Sequence, residues 1–233
     1  MAGIGTLRET SLHASLKDWY AQPGDELEAT LDGYVVDLRR GESLVEIQTG
    51  HFSAMRPKLA RLLESRPVRL VYPVAAERWI VRLAADRRTP LGRRKSPRRG
   101  NPAEVFGQLV SFPELLAHPN FSLEVVLIRE EEARCPWPRP KRGWRRQWRV
   151  VDRRLLGVTG SLVLAGPSDC LVWLPADLPR PFTNRELSRA MHLKSALAAQ
   201  MTYCLRRMGV LAAVGRQGRA VLHDLNGANP CDD

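Results

Sequence analysis

The sequence predicts an α/β protein: a mixed sheet core with flanking helices, followed by a small C-terminal module of two helices and a hairpin. Three observations predict it. Short runs rich in Val, Ile and Leu alternate with helical patterns through the first half of the chain. Residues 32–48, DGYVVDLRRGESLVEIQ, carry a hairpin pattern. From Phe182 onward a capped helix, a second helix and two short strands follow in order. This divides the 233 residues into a core domain over 1–135, a basic connecting region over 136–180 and a C-terminal domain over 181–233.

Residues 6–20 read as a helix with Leu12, Leu16 and Trp19 on one stripe. Glu9 falls on the buried side of that helix. It is either a first-turn acid favoured by the helix dipole or a carboxylate aimed at the hairpin. Pro23-Gly24-Asp25 breaks the chain. Strands are expected at about 27–39 and 43–49. Gly41-Glu42 is the two-residue loop between them, with glycine supplying the positive φ of a type II′ turn. Arg40 then faces Ser43, Leu38 faces Val45, and Asp37 faces Glu46. Directly opposed like charges are destabilising. Two acids so placed need a reason, and a hard divalent cation supplies one.

Ser53 starts a helix to about Glu64, with Met55, Leu59 and Leu62 inward and Pro57 in or near the first turn. Lys58 sits beside that stripe. It either snorkels along Leu62 or reaches back over the strand ends. Residues 68–74 are a buried-type strand, and 78–83 read as its hairpin partner. Residues 102–117 look helical with a break near Pro113. A strand follows at 123–128, and Glu130-Glu131-Glu132 is expected at its solvated end.

Thr183 and Glu186 form a capping box. A short helix runs to about Met191. A second, at about 195–208, turns Leu197, Met201, Cys204, Leu205 and Met208 inward and ends at Gly209. Two strands then surround Gly215-Arg216-Gln217-Gly218. Helix, helix and hairpin make a winged helix-turn-helix layout, which would turn Lys194, Gln200 or Thr202 outward and put Arg216 and Arg219 on the wing.

The formal net charge is +11, which favours a polyanionic partner. The charge is clustered. Residues 87–100 hold Arg93, Arg94, Lys95, Arg98 and Arg99 with no acid among them, and their prolines and glycines read as a loop, a phosphate-tracking arm. Residues 139–154 hold Arg145 and Arg146 among further arginines, with Trp137, Trp144 and Trp148 interleaved. Those rings either stack on exposed bases or pack on the core. The expected partner is DNA, duplex or branched ahead of RNA, because a winged helix suits duplex DNA better than A-form grooves.

No apolar signal core opens the sequence and no run is long enough for a membrane span. Cys135, Cys170, Cys204 and Cys231 lack CxxC spacing and read as reduced thiols of a cytoplasmic protein. The absence of Walker, HExxH and GxSxG motifs leaves nucleoside-triphosphatase and metal-free hydrolase chemistry unsupported.

A helix with Glu9, a strand carrying Asp37, a paired strand with Glu46-Ile47-Gln48, then a helix and a strand resembles the PD-(D/E)XK nuclease superfamily, the restriction-endonuclease-like fold, over roughly residues 6–83. The resemblance implies Asp37 and Glu46 as ligands of Mg²⁺ or Mn²⁺, Glu9 as an accessory acid and the Ile47 carbonyl as a further ligand. Val36 stands where the motif has Pro, and Gln48 where Lys is usual. Some members are similar in using Gln there. Others move the lysine to the following helix, which makes Lys58 a candidate. The implied activity is a metal-dependent DNA endonuclease of repair, defence or mobile-element type, for which a homodimer with two active sites is a natural form. The alternative is a non-catalytic DNA-binding protein with a nuclease-like fold.

Overall fold

The computed structural model describes residues 11–137 and 148–227. Glu9, Arg145, Arg146, Trp144 and Cys231 lie outside the described residues. The chain is α/β, with a mixed seven-stranded sheet and flanking helices.

The first strands form a meander, β1 (Glu26–Leu31), β2 (Tyr34–Arg40) and β3 (Ser43–Ile47). The single strand expected over 27–39 is two. Asp32-Gly33 folds it into a hairpin, Leu31 opposite Tyr34, with φ of +49° and +81°. Both central residues at positive φ is the requirement of a type I′ turn, which Asp-Gly meets well. The second hairpin has the expected register, Arg40 opposite Ser43 and Leu38 opposite Val45, with Gly41 at φ +56°.

A 3-10 turn (Phe52–Met55) leads into α2 (Arg56–Leu63), which buries Leu59, Leu62 and Leu63. The chain then returns parallel to β3 as β4 (Val68–Leu83). The hairpin expected between 68–74 and 78–83 does not form. β4 runs through both segments, because the bulge between Ala75 and Glu77 absorbs the irregularity and β6 (Phe121–Pro136) lies parallel along its length. The true hairpin partner of the second half is β5 (Pro90–Lys95), which pairs Trp79 with Lys95 and Leu83 with Pro90. The basic segment read as a loop therefore contains a strand. It borders β4 beyond the point where β3 ends at Ile47.

Between β5 and β6 lie two 3-10 turns (Pro102–Val105 and Pro113–Ala117) on either side of α3 (Phe106–Leu109). β7 (Trp148–Leu164) pairs antiparallel with β6, with three register shifts. Residues expected to link two domains thus form an edge strand of the main sheet.

Two apolar layers hold the sheet. On one face Leu12 and Leu16 of α1 (Ser11–Tyr20) pack on Leu38, Val45, Ile47, Val71, Val126 and Ile128. Trp19, expected in that stripe, is exposed, and Tyr20 packs inward instead. On the other face α2 and α3 share one continuous core with α4 (Asn184–Ala190) and α5 (Ser195–Arg207). Met201, Cys204 and Leu205 pack in the cluster that holds Phe106, Leu123 and Leu59, so the C-terminal helices share the core of the sheet. The chain ends in the hairpin β8 (Leu211–Gln217) and β9 (Ala220–Leu225). No helix among the described residues is long and apolar enough to cross a membrane.

The acid run also departs from expectation. β6 continues past it, and Glu130 and Glu132 are buried at 2% and 1% exposure. They alternate on one face of the strand and are held by arginines: Arg78 Nε 2.5 Å from Glu130 and Arg134 Nε 2.5 Å from Glu132, with Arg153 Nε 3.7 Å from Glu132. Buried carboxylates persist where cations and hydrogen bonds pair them.

One glycine fixes how the β5 segment returns to the core. Gly100 N–H donates to the Ala75 carbonyl at 2.8 Å, and a Cβ there would lie 2.6 Å from that oxygen and 2.8 Å from Val74 Cγ1. Both are fixed parts of β4. Gly100→Ala should destabilise the fold by about 1–3 kcal/mol, read as a lower urea midpoint at unchanged slope.

Candidate active site

The site lies where β2 and β3 separate. Their ladder ends at Leu38 opposite Val45, leaving Ile47 with a main-chain N–H and C=O that β2 does not take. Side chains fill the gap. Ile47 N–H donates to Asp37 Oδ2 at 2.8 Å. His13 Nε2 lies 2.9 Å from the Ile47 carbonyl and 3.3 Å from Asp37 Oδ2. A carbonyl only accepts, so that nitrogen carries the proton. Val36 and Leu38, two residues apart, pack in different apolar layers. Residues so spaced share a face on a regular strand, so β2 turns over at Asp37 and its carboxylate enters the fork.

Glu46 approaches the fork from β3 and is 3% exposed. Its Oε1 lies 2.5 Å from Lys58 Nζ on α2, and the same ammonium donates to the Val35 carbonyl at 2.5 Å. Lys58 therefore spans the open end of the fork, the second of its two sequence readings. The ion pair is close but poorly angled: buried Oε1 has no aligned hydrogen-bond donor. Burial raises the Glu46 carboxyl to about 7; the Lys58 ammonium opposes that rise and the Asp37 charge adds to it. Asp37 goes the other way. Burial pushes it up, but His13, the Ile47 N–H and Lys58 outweigh burial and hold it below the ordinary carboxylate range. Two neighbouring acids are thus driven apart, one readily ionised and one reluctant.

The remaining predicted residues divide. Gln48 is not aimed at the fork. Its amide donates to the His51 carbonyl at 3.2 Å and accepts from Gly50 N–H at 3.2 Å, holding the turn after β3. Arg93, Lys95 and Arg98 are paired with Glu131, Glu77 and Glu104 at 2.7, 2.8 and 3.0 Å, and Arg93 also lies 4.1 Å over the Trp79 ring. The segment is thus partly neutralised, and Arg87, Arg88, Arg94 and Arg99 are its cations without an ion-paired carboxylate among the described residues. Lys194, Arg216 and Arg219 are exposed, as expected. Thr202 is not. It is buried and donates to Asn184 Oδ1 at 2.8 Å, while Gln200 turns toward Gly107. His13 was missed: a lone histidine on an amphipathic helix shows no spacing that ties it to acids over twenty residues away.

A divalent cation fits this donor set. Asp37, Glu46 and the Ile47 carbonyl are hard oxygen donors, the buried Glu46 Oε1 has the Lys58 charge beside it but no aligned hydrogen-bond donor, and Mg²⁺ takes one or two carboxylates and keeps waters. Among the described residues no three His, Cys, Asp or Glu side chains are grouped to hold a metal, so the main-chain carbonyl and waters would complete the shell.

The family described as "Domain of unknown function (DUF8091)" matches residues 10–165, a span that holds Asp37, Glu46 and Lys58. A protein of Treponema pallidum (strain Nichols) described as "Uncharacterized protein" is 30% identical over 224 residues, covering 94% of this chain and 86% of its own length. That coverage extends the likeness past 165 into the C-terminal helices. No solved structure matches the chain.

Proposed function

The chain belongs to the DUF8091 family, and we propose that it is a metal-dependent nuclease that hydrolyses DNA phosphodiester bonds. One observation carries the reading: Asp37, Glu46 and Lys58 meet at the open end of the β2–β3 fork. The element order supports it, since a helix, a three-strand meander, a crossover helix and a parallel strand is the order of the restriction-endonuclease-like core. The two-helix and hairpin module at the C-terminus supports a winged helix as the accessory DNA contact.

Asp37, Glu46 and the Ile47 carbonyl would hold Mg²⁺ or Mn²⁺, which supplies a Lewis acid for a phosphoryl oxygen and an acidified water. Asp37 is ionised at neutral pH and stays so because His13 and the Ile47 N–H hold its negative form. Lys58 keeps a positive charge beside the reacting phosphate and offsets the charge that develops on its oxygens. It takes the place that Gln48, bound into its turn, leaves open. Arg94 and Arg99, with Lys194, Arg216 and Arg219, attract the backbone without reading sequence.

The test is cleavage of labelled single-stranded, duplex and branched DNA with Mg²⁺, Mn²⁺ or EDTA. Cutting should require metal and fall by at least about 10²-fold in Asp37→Ala. DNA binding without cutting under either metal, unchanged by Asp37→Ala, would instead make the chain a non-catalytic DNA-binding protein.

A further inference from the structure

A cavity of about 530 Å³ lies between α4, α5 and the β8–β9 hairpin, apart from the strand fork. Its walls bring Arg185 from α4, Arg206 from α5 and Arg219 from the hairpin to one concave surface, with Asn184, Tyr203 and His223 between them. Elsewhere most arginines of the core, such as Arg40, Arg56, Arg78 and Arg134, have a carboxylate partner. These three have none among the described residues. Two acids on the same elements are engaged elsewhere: Glu186 is folded back on Thr183 in the capping box, and Asp224 accepts from Leu225 N–H.

His223 supplies the second observation. It is 2% exposed, and neither ring nitrogen has a hydrogen-bond partner. Buried polar groups are nearly always paired, so an orphan in a cavity wall calls for a missing partner. Burial and the Arg206 charge hold this imidazole below its ordinary value, so it is neutral and offers an N–H. Asn184 already gives its oxygen to Thr202, which leaves its amide N–H groups as donors. The cavity therefore presents donors and positive charge with no acid to answer them.

We propose that this cavity binds a terminal phosphate monoester carried by a nucleoside, either a free nucleotide or the 5′-phosphorylated end of a strand. Three arginines lining one cavity from three elements suit a dianion with three equivalent oxygens better than a carboxylate with two, and arginine is the residue that matches phosphate in this way. The volume lies within the range of small-ligand sites. Tyr203, about half exposed, offers a ring face for a base.

The experiment is calorimetric titration of the full chain at pH 8 in EDTA with inorganic phosphate, thymidine monophosphate, and a single-stranded oligonucleotide with a 5′-phosphate or a 5′-hydroxyl. The 5′-phosphate should bind at least about tenfold more tightly than the 5′-hydroxyl, and Arg206→Gln and Arg219→Gln should each remove that preference. Arg61→Gln, on α2 away from the cavity and paired only with Glu64, should keep it, and the exposed variants should melt like wild type. Tight binding of thymidine monophosphate alone assigns the site to free nucleotide; preference seen only on the oligonucleotide assigns it to strand ends. Equal affinity for both oligonucleotide ends, with no binding of phosphate or nucleotide, would overturn the proposal and leave a surface that touches only the nucleic-acid backbone.

Discussion

Glu46→Gln should melt higher than wild type at pH 8 in EDTA and no higher at pH 4. The sign follows from the burial of the carboxyl. Its value rises from 4.5 in the unfolded chain to about 7 in the folded one. Below 4.5 it is protonated in both states and costs the fold nothing. Between 4.5 and 7 the unfolded chain releases the proton while the folded chain keeps it, so stability falls as pH rises through that window and is lost above 7. Glutamine mimics the protonated form and removes the loss. The gain at pH 8 is about 3 kcal/mol, or roughly 6–12 °C for a chain of this size. Mg²⁺ should narrow the gap by raising the wild-type melting temperature alone, because a cation that binds only the folded wild type stabilises it by mass action. Wild type melting at or above Glu46→Gln at pH 8 would mean that the Lys58 ion pair outweighs the burial of Glu46.

The same residues show what was legible beforehand. The β2–β3 hairpin was readable because Gly41 admits one tight turn, which sets Arg40 opposite Ser43 and Leu38 opposite Val45; the ladder stops there, so the expected Asp37–Glu46 pair does not form and Asp37 bonds Ile47 N–H instead. The capping box was readable for the same local reason, and Thr183 and Glu186 bond as expected. Long-range features were not. Pro73 and the Ala75-Ala76-Glu77 stretch look like a turn to a local reading, yet the parallel partner β6 carries β4 through them. Glu130 looks solvated because its neutralising Arg78 comes from β4, distant in sequence; Glu132 has Arg134 two residues on, but β7, which covers it and adds Arg153, is also distant. β7 opens WRVVDRRLL, whose paired cations and paired aliphatic residues lack the period-2 alternation that marks a strand. At the site, Lys58 had two equal readings, and only the packing of α2 against β3 chooses between them.

Lys58→Met carries the largest expected effect on function. The methionine fills the same space along α2 but leaves Glu46 without the cation that lies 2.5 Å from it. Removing one partner of a buried pair costs about 3–5 kcal/mol when the other stays charged. Glu46 can escape by taking a proton, which costs about 1.4 kcal/mol at pH 8 and nothing at pH 5, so the loss should be about 1–2 kcal/mol at pH 8 and small at pH 5. Melting curves of the single and double variants separate this from a packing defect. Glu46→Gln with Lys58→Met should recover the melting temperature at pH 8, since no buried charge is then unmatched, whereas a packing defect at position 58 would persist in the double variant. Metal-dependent cleavage should fall by about 10²-fold or more in Lys58→Met and stay low in the double variant, which lacks both that positive charge and the Glu46 carboxylate proposed to hold the metal. A Lys58→Met protein that cuts DNA at the wild-type rate would return the water-orienting role to Gln48, and its amide would then have to leave the turn that holds it to Gly50 and His51.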